Sequence, residues 1–296
     1  MYLIIGGSGY FGRYFIKSIL DKTSDDIVAT CRCPGEDSPR LSWRAFEIRD
    51  RAGADRLADE FGSRDDLKII VLAAFHHPDK VQEDPAAAWS VNVTALSYFV
   101  NRFQNAKAVF YSSTDSVYGN SIDGYRFKEN DVLSPVNIYG REKAAAEGVV
   151  RWMPMGQGKV VRFPFLIAPS LVPGRPHFYD RIVEDLKNGK TVEMFSDSYR
   201  SSLSFATAAE LTVELAERPD LKDLPSVINI CGDAALSKYD VGLMIADKLG
   251  VSREFVKPVR IADHAEIFKT ARASSTIMDN SLLKSVLGLQ KVELTL

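Results

Sequence analysis

Tyr139 and Lys143 stand four residues apart in the run Tyr139-Gly140-Arg141-Glu142-Lys143. On a helix that spacing puts both side chains on one face. A carbonyl reduced by hydride needs a proton on its oxygen. A tyrosine can deliver it, although an unperturbed phenol has a pKa of about 10. A neighbouring ammonium favours the phenolate and lowers that value, bringing it nearer the operating pH. The same lysine can hold a nicotinamide ribose. Tyr–Lys pairs at this spacing are common on helix surfaces, so the weight lies in position. This one opens the helix that follows a strand ending in hydroxyls, Tyr111-Ser112-Ser113-Thr114-Asp115-Ser116-Val117-Tyr118-Gly119. A hydroxyl there can hydrogen-bond the substrate oxygen beside the tyrosine. The C-terminal edge of parallel strands is where ligands bind in open α/β sheets.

A second constellation lies at the N-terminus. Gly6-Gly7-Ser8-Gly9-Tyr10-Phe11-Gly12 joins a short apolar run to a helical pattern. Gly6, Gly9 and Gly12 give G-x-x-G-x-x-G, and Gly7, Gly9 and Gly12 give G-x-G-x-x-G. Either spacing permits a tight turn and lets the backbone approach a pyrophosphate. The helix start then offers free N–H groups and a positive dipole end to the phosphates. Tyr10 and Phe11 belong to that start. The next strand runs from Ile27 into Arg32 with no acid between. An acid at that strand end holds the ribose 2′-OH of NAD, whereas an arginine accommodates the 2′-phosphate of NADP. The reading favours NADP(H), with NAD(H) left open.

The elements that must position these residues alternate. Tyr2–Ile5, Ile27–Cys31, Trp43–Ile48, Ile69–Ala74, Ala108–Ser112 and Lys159–Phe165 read as strands. Helical spacing fills 10–22, 52–61, 85–104 and 137–152. Continuous apolar runs such as Ile69–Ala74 mark strands buried on both faces. The pattern predicts an α/β fold, a Rossmann-type doubly wound parallel sheet, over residues 1–166. Residues 166–176 carry three prolines and a glycine and read as loop. Helices at 178–188, 205–217 and 237–249 and strands at Thr191–Phe195 and Val227–Cys231 follow. The expected organisation is a smaller mixed α/β substrate-binding lobe over 167–296. Its segments at about 205–231 should pack back on the first domain.

Composition excludes several classes. The 296 residues carry a net charge of −2, with 46% apolar and 26% charged residues, which fits a globular chain. No basic balance points to nucleic acid, and no apolar run reaches the ~20 residues of a membrane helix. The chain starts inside a strand pattern with no cleavable leader, so a cytoplasmic location is expected. The odd set Cys31, Cys33 and Cys231 argues against a disulfide framework, and no cysteine–histidine cluster implies a metal. Tyr14, Phe15, Tyr98 and Phe99 read as core, or as contacts of a homodimer.

Taken together these motifs resemble the extended short-chain dehydrogenase/reductases, the NAD(P)-dependent epimerase/dehydratase group, over nearly the whole chain. Within it they are similar to the dTDP-4-dehydrorhamnose reductases. Ala73-Ala74-Phe75-His76-His77-Pro78-Asp79-Lys80 resembles A-A-Y-T-x-x-D-K. Ala88-Trp89-Ser90-Val91-Asn92-Val93 resembles A-W-x-V-N-V, and Tyr139-Gly140 with Lys143 and Glu147 resembles Y-G-x-x-K-x-x-x-E. The resemblance implies a catalytic triad of Thr114, Tyr139 and Lys143. It implies that Ala73, Ala74, Phe75, Asn92, Ser112 and Ser113 line the cofactor or hold its strands. Glu47 and Ile48 would flank the adenine, and Phe163 and Pro164 the nicotinamide. A nucleotide-sugar substrate would meet His76, Thr114, Asp115, Phe165, His177 and Arg200, with Arg200 on the diphosphate.

Departures from the pattern bear on substrate. The reductases carry R-T-S-W where this chain has Arg162-Phe163-Pro164-Phe165, so Phe165 replaces a tryptophan. His177 stands where an asparagine is usual. Ser116 replaces the glutamate that follows Thr-Asp in the 4,6-dehydratases, which removes a dehydratase base. The leading expectation is reduction of a 4-keto nucleotide sugar. Its rivals are an epimerase with bound NAD and a non-catalytic NAD(P)-binding regulatory subunit on the same fold. Retention of both Tyr139 and Lys143 speaks against the second.

Overall fold

The computed structural model describes residues 1–33 and 35–296, the side chains at 265 and 266 excepted. The first half runs β1 (Tyr2–Ile5), α1 (Tyr10–Lys22), β2 (Ile27–Cys31), β3 (Leu41–Ala45), α2 (Arg51–Phe61), β4 (Lys68–Val71), α3 (Pro78–Glu83), α4 (Pro85–Trp89), α5 (Leu96–Asn101), β5 (Ala108–Thr114), α6 (Ile138–Arg151) and β6 (Gly158–Phe163). The second half runs α7 (Phe178–Lys187), β7 (Val192–Phe195), β8 (Tyr199–Arg200), α8 (Phe205–Ala216), β9 (Val227–Asn229), β10 (Leu236–Ser237), α9 (Lys238–Leu249), β11 (Val256–Val259), β12 (Ser275–Thr276) and α10 (Ser281–Leu287).

Seven parallel strands form one sheet in the order β3-β2-β1-β4-β5-β6-β9. The order reverses between β1 and β4, which places a ligand crevice at their C-terminal ends. β1 and β2 are buried along their whole lengths, as expected of strands covered on both faces. Tyr14 and Phe15 of α1 and Leu211 and Leu215 of α8 pack on one face. Leu57 of α2, Phe99 of α5 and Val150 of α6 pack on the other. Tyr14, Phe15 and Phe99 are therefore core residues, and Tyr98 binds Asp55 through its hydroxyl (2.9 Å).

The second half builds a smaller body from α7, α9, β7 and β11 around Ile182, Ile245 and Val256. A three-stranded sheet, β10-β8-β12, adjoins it. The chain crosses back to the large sheet, where β9 pairs with β6 and α8 packs beside α1. Helix α10 does the same at the far end of the chain, burying Leu283 in the main core.

Several elements differ from the sequence pattern. The helix expected over 85–104 is interrupted by a π-helical turn, Ser90–Ala95, between α4 and α5. That turn carries Asn92, and such turns are frequent at functional sites. The short α3 escapes periodicity analysis; Pro78 and Pro85 each start a helix from its first position, where the missing N–H costs nothing. β4 stops at Val71 rather than Ala74. β5 continues to Thr114 because β6 keeps pairing, Ser113 with Arg162 and Thr114 with Phe163. β3 ends at Ala45, leaving Glu47 and Ile48 in the following turn.

An ion pair fixes the middle of the sheet. Arg162 and Glu147 are each 1% exposed, and their contact is bidentate, with Nε to Oε1 at 2.9 Å and Nη2 to Oε2 at 2.6 Å. Nη1 donates to the Tyr118 hydroxyl (2.6 Å), which donates to Asn229 Oδ1 (2.8 Å). Ser113 donates its hydroxyl to Glu147. Breaking a buried pair from one side leaves an uncompensated charge. Glu147→Ala should therefore destabilise folding by about 3–5 kcal/mol, and Glu147→Gln by less. The shift in urea midpoint measures both; equal, sub-kilocalorie losses would contradict this role.

Candidate active site

Gly6 turns with φ +94°, and a Cβ there would meet Ala73 N at 3.0 Å. A Cβ on Gly12 would lie 2.6 Å from the carbonyls of Gly6 and Gly7. The loop therefore closes tightly on itself and on the strand end at Ala73. Gly9 caps α1 without a side-chain hydrogen bond, and a Cβ there would meet only Gly6 O, at 3.4 Å. The cradle left in front of α1 suits a pyrophosphate, with first-turn N–H groups facing it. Tyr10 and Phe11 are the first two residues of that helix. The Phe11 ring turns inward against Phe163 (5.0 Å) and Phe205 (5.4 Å).

Arg32 is exposed at the end of β2 and forms no ion pair among the described residues. Glu47 pairs with Arg49 (3.1 Å), and Ile48 is buried. Asn92 clasps Phe75 at both ends, accepting from its N–H (2.8 Å) and donating to its carbonyl (3.1 Å), and donates to buried Glu142 (2.7 Å). Asn92 and Ser113 thus hold the strand ends through other residues rather than by facing the cleft.

Helix α6 starts at a cap in which Asn137 accepts from Gly140 N–H (2.9 Å). A Cβ on Gly140 would meet Ser116 O at 2.5 Å and Pro135 Cβ at 2.7 Å. Only glycine lets the helix approach the 115–117 turn so closely. That approach brings Tyr139 near Thr114, whose hydroxyl favours its phenolate. Burial outweighs it and nearby Asp115 adds to burial, so the Tyr139 phenol is pushed well above its ordinary range. The lowering expected from Lys143 is not found. The Lys143 ammonium donates instead to Ser112 O (2.5 Å) and lies over the Tyr111 ring (4.0 Å). Burial pushes its own pKa down to about 7, against the opposing charge of Glu147.

Thr114, Asp115, Pro164, Phe165 and Arg200 line one cavity of about 320 Å³. Asp115 is buried at its floor, accepting from Thr114 (3.1 Å) and Thr276 (2.5 Å) and ion-paired with Arg200 Nε (3.3 Å). Arg200 also donates to the carbonyls of Tyr199 (2.8 Å), Ser274 (3.2 Å) and Ala273 (2.7 Å). Nearly all its donors are thereby engaged, so the expected diphosphate ligand is a clamp under Asp115. His177 lies elsewhere: its ring packs edge-on against Tyr10 (4.8 Å) and Phe205 (5.1 Å) beside the glycine turn, outside the cavity lining. His76 stands on the loop after β4, within reach of the Lys143 charge and also outside that lining.

Two cavity cations have no sequence motif around them. Lys238 starts α9 among the rings of Phe165, Phe178 and Phe195, 5.5–5.8 Å away. It has no acidic partner among the described residues, and burial, then Arg200 and Arg272, lower its pKa. Arg272 pairs through Nη2 with Asp79 (2.7 Å), while its Nη1 is buried without a partner among the described residues. No group of three metal-binding side chains occurs among the described residues, whose three cysteines are free. No described helix is long and apolar enough to cross a membrane.

The chain is similar to proteins of several activities. A dTDP-4-dehydrorhamnose reductase of Aggregatibacter actinomycetemcomitans is 21% identical, over 97% of this chain and 93% of its own length. The methionine adenosyltransferase 2 subunit beta of Xenopus tropicalis is 26% identical, over 87% of this chain and 74% of its own. Among solved structures, a Bacillus anthracis dTDP-4-dehydrorhamnose reductase in complex with NADP superposes with a TM-score of 0.80 at 18% identity, covering 99% of this chain and 94% of that one. A dTDP-glucose 4,6-dehydratase of the same organism in complex with NAD gives 0.77 at 18%, covering 98% and 91%. The family model described as the RmlD substrate binding domain matches residues 1–294, and the chain belongs to that family.

Proposed function

We propose that this protein is an NADPH-dependent reductase of a keto group on a nucleotide-diphosphate sugar. The observation that carries the reading is the cavity itself. Thr114 lines it next to Tyr139, and Lys238 and Arg272 line it too, with more positive charge than the described neighbours neutralise. A ligand filling it needs a carbonyl at one place and an anion at another, which a sugar diphosphate has and a small ketone lacks. The dTDP-4-dehydrorhamnose reductases among the relatives support the same substrate class.

The glycine cradle, Arg32 and Lys143 fit a nicotinamide dinucleotide, which when bound supplies the hydride. The chain's own residues do the rest. Thr114 and Tyr139 hydrogen-bond the carbonyl oxygen and fix its orientation. Burial and Asp115 keep the phenol protonated, so Tyr139 reaches the reaction as an acid. As the carbonyl carbon gains hydride, the O–H bond of Tyr139 breaks and its proton passes to the new alkoxide, leaving an alcohol. Lys143, once protonated, stabilises the phenolate that remains. The diphosphate end, held at a distance, helps position the carbonyl. A methionine adenosyltransferase subunit among the relatives keeps a non-catalytic alternative in view, and Thr114 beside Tyr139 at the cavity, with Lys143 one turn along the same helix, favours catalysis.

Tyr139→Phe should lower kcat by ~10²–10⁴-fold with NADPH affinity intact, measured by NADPH oxidation against a panel of keto nucleotide sugars and by fluorescence titration. Near-normal turnover would remove Tyr139 from the mechanism. Arg32→Ala should weaken NADPH roughly tenfold or more while sparing NADH, as loss of a charged phosphate contact requires; equal losses would end the 2′-phosphate role.

Lys143 gives a pH-dependent prediction. Its pKa falls from 10.5 to about 7 on folding, so between those values the unfolded chain binds more protons and stability rises with pH. Below pH 7 the folded protein carries the full cost of a buried ammonium. Lys143→Met should therefore melt above the wild type at pH 6, with the difference shrinking toward pH 10, and should be inactive. A difference independent of pH would show that burial of the ammonium is not the cause.

A further inference from the structure

Asp79, in the first turn of α3, has no role in the proton transfer above, yet both its carboxylate oxygens are committed. Oδ1 accepts from Lys269 N–H (3.0 Å), and Oδ2 accepts from Arg272 Nη2 (2.7 Å). Lys269 Nζ also pairs with Glu83, and Thr270 donates to Gln82 (3.2 Å). From the other side, the α6 cap residue Asn137 donates to Ala271 O (2.9 Å). Residues 269–272 are thus tied to α3 and to the start of the helix that carries Tyr139. The guanidinium of Arg272 lies over the Phe268 ring (5.1 Å), and its Nη1 is buried with no hydrogen-bond partner among the described residues. Lys238 lines the same cavity. Buried donors without acceptors are costly, and an arriving anion removes that cost.

We propose that Asp79 is a positioning residue for substrate recognition: it grips Arg272 by one edge so that Nη1, with Lys238, receives the anionic end of the substrate, a diphosphate ester of the nucleoside-diphosphate class. The inference rests on the nucleotide-sugar reading and makes a prediction opposite to simple electrostatics. A carboxylate near an anion site repels the anion, so removing its charge should tighten binding. If its task is to aim Arg272, removing that charge weakens binding.

The test is calorimetric titration of the full chain, saturated with NADPH, with UDP, dTDP and inorganic pyrophosphate. Asp79→Asn should weaken the binding seen in the wild type roughly tenfold, and Arg272→Met at least as much. The double variant should lose no more than Arg272→Met alone, since both changes disable one contact. NADPH affinity should stay unchanged in all three. Lys269→Ala cuts the Glu83 tie without touching Arg272, and it separates a loosened segment from a misaimed arginine; it should bind within about twofold of the wild type. Tighter or unchanged binding in Asp79→Asn, additive losses in the double variant, or an equal loss in Lys269→Ala would overturn the assignment. Failure of the wild type to bind any of the three probes would overturn the nucleotide-sugar reading and this inference with it.

Discussion

A guanidinium with no access to water sits in the centre of this protein, and the site is arranged around the need to satisfy it. Arg162 on β6 reaches Glu147 on α6, the Tyr118 hydroxyl beyond β5, and through it Asn229 on β9. One side chain thereby registers three strands and the helix that carries Tyr139 and Lys143. Pairs of this kind add little net stability over an apolar core, and keeping them is best understood as specifying one arrangement. Here that arrangement is the level of α6 relative to the end of β5. A slip of either would part Tyr139 from Thr114.

The same economy governs the other polar groups. Side chains that read as cleft-facing are in part committed one layer behind it, Ser113 to Glu147 and Asn92 to Phe75, and Arg200, though it lines the cavity, is paired with Asp115. Among the described residues, the cavity keeps two cationic groups without an acidic partner or acceptor of their own, Lys238 and one edge of Arg272. Fixed dipoles and charges aimed before the ligand arrives need little reorganisation during reaction.

Much of this was legible in the sequence because it is local. The glycine turn, the Tyr–Lys spacing and the buried apolar strands each rest on residues within a few positions of one another, and periodicity or turn chemistry dictates them. The family resemblance put Glu147 and Arg162 in order without showing that they meet. What the sequence did not yield is nonlocal. Asp79 and Arg272 are brought together across most of the chain, and Lys238 acquires meaning only from the rings around it. The partners of Arg200 are nonlocal too: in the sequence it reads as a free cation, and the fold lays it against Asp115 and the carbonyls of 273 and 274 at the cavity wall. The interruption at Asn92 is a backbone irregularity with no composition of its own.

The pairing of β9 with β6 has a consequence for how the protein is made. Until residues 227–229 leave the ribosome, β6 stands at the margin of a six-stranded sheet with its hydrogen-bonding groups open. An exposed strand margin of that kind templates association between chains. Asn229 also completes the polar chain around Arg162, so in the nascent first half the buried Tyr118 hydroxyl lacks its acceptor. Domains ordinarily fold as they emerge, N-terminal first. In this chain the nucleotide-binding half waits for a segment borrowed from the other half, and its interval of vulnerability lasts for the synthesis of some sixty further residues.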